Sequence, residues 1–415
     1  MMRTSGVAPC DAASVADRLK ALAAKSGLRS WKLAGRELLP VVQGGMGVGI
    51  SAGGLAGTVA GLGGIGTVSS VDLRRLHPDL MAKTAHLDAK PDAGPRIDAA
   101  NLEALGREIG LARRLSGGRG LLAVNVMKAL SAYAAQVRHA LACGVDALVV
   151  GAGLPLDLPD LAKDHPKVAL IPILSDARGI QLLVRKWEKK GRLPDAIVVE
   201  HPRLAGGHLG AAKVGDLNDP RFDFELVLPQ TQAFFKSAGI EGRIPLIAAG
   251  GIGTQEDIRR LQSLGATAVQ LGTAFAVTTE CDADPRFKQV LADARPEDLV
   301  EFTSVAGLPA RAVRTKWLAK YMRLEPRLNA KVHKETECTM RFDCLAHCGL
   351  RDGTPGWGKF CIDKMLGHAF SGQTEQGLFF RGAGKLPFGS EIRSVQELLQ
   401  WLLGGLRPAA LTGAA

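Results

Sequence analysis

His208 stands in a glycine-rich loop that follows an apolar run, Val198-Val199-Glu200-His201-Pro202-Arg203-Leu204-Ala205-Gly206-Gly207-His208-Leu209-Gly210. An imidazole on such a loop can take or give a proton near neutral pH. Ile244-Pro-Leu-Ile-Ala-Ala249-Gly250-Gly251-Ile-Gly253 repeats the design without the histidine, and Ala268-Val-Gln-Leu-Gly272-Thr273 follows as a third run with glycine at its end. Backbone N–H groups of Gly250, Gly251, Gly272 and Thr273, near a helix expected to start around Thr254, suit a dianionic phosphate. Two further runs end in polar or bare positions, Pro40-Val-Val-Gln-Gly44-Gly45-Met46-Gly47 and Ala123-Val-Asn125-Val-Met127. The glycines leave these strand ends bare of side chains, Asn125 offers both donor and acceptor, and Ser175, after another apolar run, adds a hydroxyl.

Chemistry at successive strand ends requires elements that bring those ends together. Strand-like runs fall at about 38–43, 65–69, 121–126, 146–151, 168–174, 195–200, 244–249 and 267–271, with helical patterns after most of them and a leading helix at 12–26. Eight such units predict an α/β fold of the TIM type, a closed (β/α)8 barrel of about 250 residues with its site at the C-terminal strand ends. An open doubly wound sheet would want one dominant nucleotide loop near its first strand. Gly61-Leu-Gly-Gly-Ile-Gly66 precedes a strand instead of following one, so it reads as helix-to-strand packing and not as a dinucleotide fingerprint. The expected division is a helical lead-in over 1–35, the barrel over 36–280, a helical extension rich in Arg and Lys over 281–335, and a cysteine-bearing segment over 336–415. Residues 71–98 read as a loop insertion that walls the site, and 353–358 and 377–384 as segments folding back over the barrel mouth as a lid.

The 415 residues are 46% hydrophobic, ample for a core, and the 50 glycines gather after short apolar runs. A net charge of +11 is spread among 41 acidic residues with no basic block, which argues against nucleic acid and for a surface that attracts anionic ligands. The apolar stretch 48–68 is glycine-laden and reads as a buried strand–helix–strand unit, not a membrane span. Seven cysteines, an odd number in a chain of this length, argue for a reducing cytoplasm, and no signal peptide is indicated. Cys338, Cys344, Cys348 and Cys361 gather in the tail with His347 among them. They are candidate ligands for zinc or an iron–sulfur cluster, or else buried thiols near the site, whereas Cys10, Cys143 and Cys281 fall on helices and loops.

The Gly44–Gly47 turn, Asn125, His208 and Ala249-Gly-Gly-Ile252, in that order, resemble the nitronate monooxygenase family, formerly 2-nitropropane dioxygenases, related to flavin-dependent enoyl-acyl-carrier-protein reductases. The resemblance covers most of 36–320. It implies an FMN-bearing barrel with Gly44, Gly45, Met46, Gly47 and Asn125 against the isoalloxazine and Gly250, Gly251, Gly272 and Thr273 around the phosphate. Ser175, Glu200, Gly206, Gly207 and Ala249 complete the expected cofactor set. His208 matches the family's Gly-Gly-His-x-Gly histidine, implied to act as general base or to orient the substrate. Many members carry an acid shortly before that glycine pair; here Leu204 and Ala205 stand there and Glu200 lies farther back. The implied activity is oxidation of alkyl nitronates by O2 to carbonyl compounds and nitrite. An NAD(P)H-dependent flavin reductase of enoyl thioesters or quinones is the alternative, and a binding module without redox turnover a third reading.

Overall fold

The computed structural model describes residues 9–84, 87, 93–330, 342 and 344–406. A helix, Pro9–Lys25, leads into a short hairpin of β1 (Trp31–Leu33) and β2 (Arg36–Leu38). Trp31, Leu33 and Leu38 from this hairpin join the apolar cluster inside the barrel, and the Trp31 indole N–H donates to the Leu39 carbonyl at 3.0 Å.

The barrel strands are β3 (Val41–Gln43), β4 (Ile65–Ser69), β5 (Leu121–Met127), β6 (Ala147–Gly151), β7 (Ala169–Leu174) and β8 (Ile197–Glu200). After a two-residue strand, β9 (Gly207–His208), come β10 (Leu246–Ala249) and β11 (Ala268–Leu271). All barrel pairings are parallel, and β8 pairs with β10 while β11 returns to β3, closing the cylinder. All eight barrel strands coincide with the eight apolar runs expected from sequence. Alternation sets the two layers: Val42, Ile65, Ala123, Val149, Ile171, Val198 and Ile247 fill the interior, while Val41, Val68, Val124, Leu148 and Val199 pack against the surrounding helices. Gln43 stitches the first strands, its Oε1 accepting from the Thr67 N–H at 2.8 Å and its Nε2 donating to the Thr67 carbonyl at 3.1 Å.

Stretch 48–68 supplies the helix Gly53–Gly61 and β4, and Gly66 lets the two meet: a Cβ there would lie 1.8 Å from the Ala56 carbonyl oxygen. Residues 71–98 are not the expected loop. They hold a 3₁₀ turn, Leu73–Leu76, a helix, Pro78–Thr84, and the start of the long helix Ala93–Ser116. Pro95 in the first turn of that helix is tolerated because an N–H there has no helical partner to lose.

The segment after the barrel also departs from the helical expectation. Between the helices Pro285–Asp293 and Lys316–Ala330 lies an antiparallel hairpin, β12 (Leu299–Thr303) and β13 (Pro309–Val313). Its outer edge takes β9 as a third strand, with Ala310 opposite His208 and Arg311 opposite Gly207. Residues 344–404 return over the barrel mouth and end in the helix Val395–Gly404, whose Gly404 packs on Leu22 of the first helix. No described helix is long and apolar enough to cross a membrane.

Candidate active site

The C-terminal strand ends open into a cavity of about 300 Å³, within the usual size range of small-molecule sites. Gly44, Gly45, Met46, Gly47, Asn125, Glu200, Gly206, Gly207, His208, Ala249, Gly250, Gly251, Gly272 and Thr273 all line it. Ser175 does not: its hydroxyl is packed under Gly210, where a Cβ would sit 1.8 Å from Ser175 Oγ. A residue just past a strand end can face either way, and here the side chain turns from the cavity into the loop that follows His208.

One wall is bare backbone by necessity. A Cβ on Gly45 would lie 2.2 Å from Asn125 Cβ, and one on Gly47 would lie 3.0 Å from Val71 Cβ, so larger residues would displace the turn or the asparagine. The Asn125 amide donates to the Val149 carbonyl at 3.2 Å, which fixes its plane and leaves its carbonyl oxygen for a ligand. Such a wall accepts a planar ring.

At the other end, Gly250 and Gly251 have φ of +111° and +71°, the left-handed backbone that turns amides toward a common point. The amides of Gly250, Gly251, Gly272 and Thr273 donate to no acceptor among the described residues. The neighbouring helix is a different matter. Thr254 caps Gln255–Ser263 in a reciprocal capping box, and Asp257 Oδ2 takes the amides of both Gly253 and Thr254 at 3.0 Å. That helix end is already neutralised by its own carboxylate, so the anion cradle consists of the 250–251 turn and the 272–273 corner. Tail residues close it: the Gly382 amide donates to Thr273 Oγ1 at 3.0 Å and the Ala383 amide to the Leu204 carbonyl at 3.1 Å. Arg381, buried beside them, spends its guanidinium on the carbonyls of Leu291 (2.8 Å) and Gly382 (2.8 Å), shaping this corner instead of meeting an anion.

His208 is held by groups that sequence reasoning missed. Its Nε2 lies 3.0 Å from Ser304 Oγ, just beyond β12, and its ring packs against Phe380 with centroids 5.6 Å apart. Arg311 on β13 reaches across to the carbonyls of Ala205 and Pro202 and pairs with Glu301 at 2.6 Å, anchoring the loop before the histidine. Burial lowers the imidazole pKa from 6.5 to about 4, so the ring is neutral near pH 7. Burial acts oppositely on the Glu200 carboxyl at the end of β8, raising it from 4.5 to about 7.

The outer half of the cavity is apolar and comes largely from the tail, through Leu345, Ile362, Leu366, Ala369, Leu378 and Phe380. Asp363 is its buried polar member. Arg75 Nη2 donates to Asp363 Oδ2 at 2.6 Å and Arg75 Nε to Asp72, tying the tail helix Ile362–Phe370 to the loop after β4. Burial, reinforced by the nearby Asp72 charge, raises the Asp363 carboxyl to about 7.

The expected metal centre finds no support. Cys338 lies outside the described residues; Cys344 lines the cavity, Cys348 follows on another turn and donates its amide to Asp352 at 2.8 Å, and Cys361 caps the helix Ile362–Phe370. Among the described residues no group of three or more His, Cys, Asp or Glu side chains could hold a metal ion. Of the two glycine segments expected over the mouth, 377–384 lines the cavity, whereas Trp357 in 353–358 packs on Gly307 in the β12–β13 turn.

Comparison with known proteins agrees with this fold. The chain is 30% identical over 129 residues to a probable nitronate monooxygenase of Bacillus subtilis, covering 31% of this chain and 35% of that protein. It is 32% identical over 119 residues to a nitronate monooxygenase of Pseudomonas aeruginosa, covering 29% and 31%. The matched region thus spans about a third of the length of these curated relatives. In fold it is similar to FabK from Thermotoga maritima, with a TM-score of 0.59 and 22% identity over 88% of this chain and 91% of that one. A nitroalkane oxidase from Streptomyces ansochromogenes gives a TM-score of 0.58 and 20% identity over 88% and 94%. The family model for nitronate monooxygenase matches residues 31–405, from the first hairpin to the last helix, and the chain belongs to that family.

Proposed function

We propose that this protein is an FMN-dependent oxidoreductase that oxidises alkyl nitronates with O2 to carbonyl compounds and nitrite. The observation that carries the reading is a single neutral imidazole, His208, on the wall of a cavity that is bare backbone on one side and unpaired amides at one end. FMN, when bound, supplies the electron exchange between substrate and oxygen. Gly44, Gly45 and Gly47 with Asn125 would hold its ring, and the amides of Gly250, Gly251, Gly272 and Thr273 its phosphate.

The rest of the chemistry is positioning. His208 meets the nitro end of the substrate, and Ser304 and Arg311 keep it there. Leu345, Leu366, Leu378 and Phe380 exclude water from the alkyl end, which strengthens each polar contact inside. His208→Ala is expected to retain its yellow colour and to lose about 100-fold in kcat/KM for nitrite release from ethyl nitronate, the scale of removing one positioned polar group. Unchanged turnover would remove His208 from the reaction.

The apolar outer chamber also admits an acyl chain, which supports a second reading as an NAD(P)H-dependent reductase of enoyl thioesters or quinones. Rapid anaerobic bleaching of the flavin by NAD(P)H would favour that activity. Indifference to reduced nicotinamide would favour the first.

A further inference from the structure

We infer that Ser304 locks His208 in the tautomer carrying its proton on Nδ1, so that the ring offers the cavity a hydrogen-bond donor and discriminates against the neutral nitroalkane form of the nitronate substrate proposed above. The statement about substrate rests on the nitronate reading above; the statement about the tautomer does not.

The argument is hydrogen-bond accounting. Ser304 is fully buried, and its hydroxyl has one hydrogen to give and two lone pairs to fill. The Ala306 amide donates to Ser304 Oγ at 3.2 Å, occupying one lone pair. Among the described residues the remaining partner of that oxygen is His208 Nε2, at 3.0 Å. Were the imidazole to donate Nε2–H to Oγ, the hydroxyl hydrogen, on a side chain with no exposed surface, would have no acceptor among the described residues, an arrangement buried polar groups avoid. With the hydroxyl donating to Nε2, both the Ser304 hydroxyl and His208 Nε2 are satisfied. A neutral imidazole that accepts at Nε2 carries its hydrogen on Nδ1.

The ring is also held in orientation. His208 lies opposite Ala310 in the β9–β13 pair and against the Phe380 ring, while the Ser304 amide is fixed by the Leu308 carbonyl at 2.9 Å. Nδ1, which has no partner among the described residues, is the nitrogen left for a ligand. An Nδ1–H can stabilise the negative charge on nitronate oxygens. It cannot remove the α-proton of a neutral nitroalkane. Ser304 is therefore a positioning residue that selects which form of the substrate reacts.

Two readouts test this on the FMN-loaded protein. Two-bond ¹H–¹⁵N spectra of ¹⁵N-histidine-labelled protein, with the His208 signals assigned by their loss in His208→Asn, should show the Nδ1–H pattern. Ser304→Thr should keep that pattern and Ser304→Ala should turn it into a tautomer mixture. Steady-state kinetics should give kcat/KM for ethyl nitronate about 100-fold above that for nitroethane, narrowing about tenfold in Ser304→Ala. An Nε2–H pattern in the unmodified protein overturns the tautomer assignment, even if Ser304→Ala fails to fold. Equal kcat/KM for the two substrates overturns the substrate assignment. An Nδ1–H pattern in a protein that consumes no nitronate leaves the tautomer standing and removes the nitronate reading instead.

Discussion

Glu200 and His208 sit on the same cavity, and burial drives both toward their neutral forms, the carboxyl up to about 7 and the imidazole down to about 4. The stability consequence for Glu200 follows from its direction. Because the folded protein holds this proton more tightly than the unfolded chain, its contribution is fully present below the ordinary value of 4.5 and is lost as pH rises through about 7. Glu200→Gln should therefore match the unmodified apoprotein in Tm at pH 4 and exceed it by a margin that grows between pH 4.5 and 7 and levels off above. A constant difference across that range would mean Glu200 ionises without penalty. His208 and the glycine positions were legible in the sequence because each is unusual where it stands, whereas Ser304 and Arg311 look like any other serine and arginine. Their importance comes from a sheet that joins residues about a hundred positions apart, and no local pattern carries that.

The eight barrel strands were readable because each is an apolar run ending in glycine or a polar residue, and the parallel ladder buries both faces. The β12–β13 hairpin was not, since Leu299–Thr303 is short and β9 has two residues, one of them glycine. Close helix packing is visible in hindsight. Gly53, Gly57 and Gly61 form a stripe along one face of their helix, and a Cβ on Gly57 would lie 2.7 Å from Leu115 Cβ and 2.9 Å from Ala112 Cα of the helix Ala93–Ser116. Gly57→Val must push those helices apart at a cost of about 1–3 kcal/mol, the usual scale of overpacking. Thermal unfolding should show a Tm lowered by several degrees; an unchanged Tm would show that the pair yields without strain.

Across the whole molecule, the barrel alone does not enclose the site. The Asp363–Arg75–Asp72 bridge, the Gly382 bond to Thr273 and the Trp401 indole bond to the Gly253 carbonyl at 2.7 Å join tail to barrel at three separate points. Deleting residues 342–415 would bare Leu271, Ala274 and Phe287 and open the anion cradle to solvent. The shortened protein is expected to lose bound FMN on desalting, read as loss of flavin absorbance, and to bind apolar dyes. Retention of a full complement of FMN would show that the barrel suffices to hold it.

A ribosome releases Leu271, the end of the last barrel strand, more than a hundred residues before Gly404, which packs on the first helix. For all of that interval the strand ends have no roof. A nascent chain can thus complete its barrel yet still exchange whatever enters the mouth, and commitment to a ligand waits until the tail has been made. Synthesis order places the closing of the mouth well after the completion of the barrel.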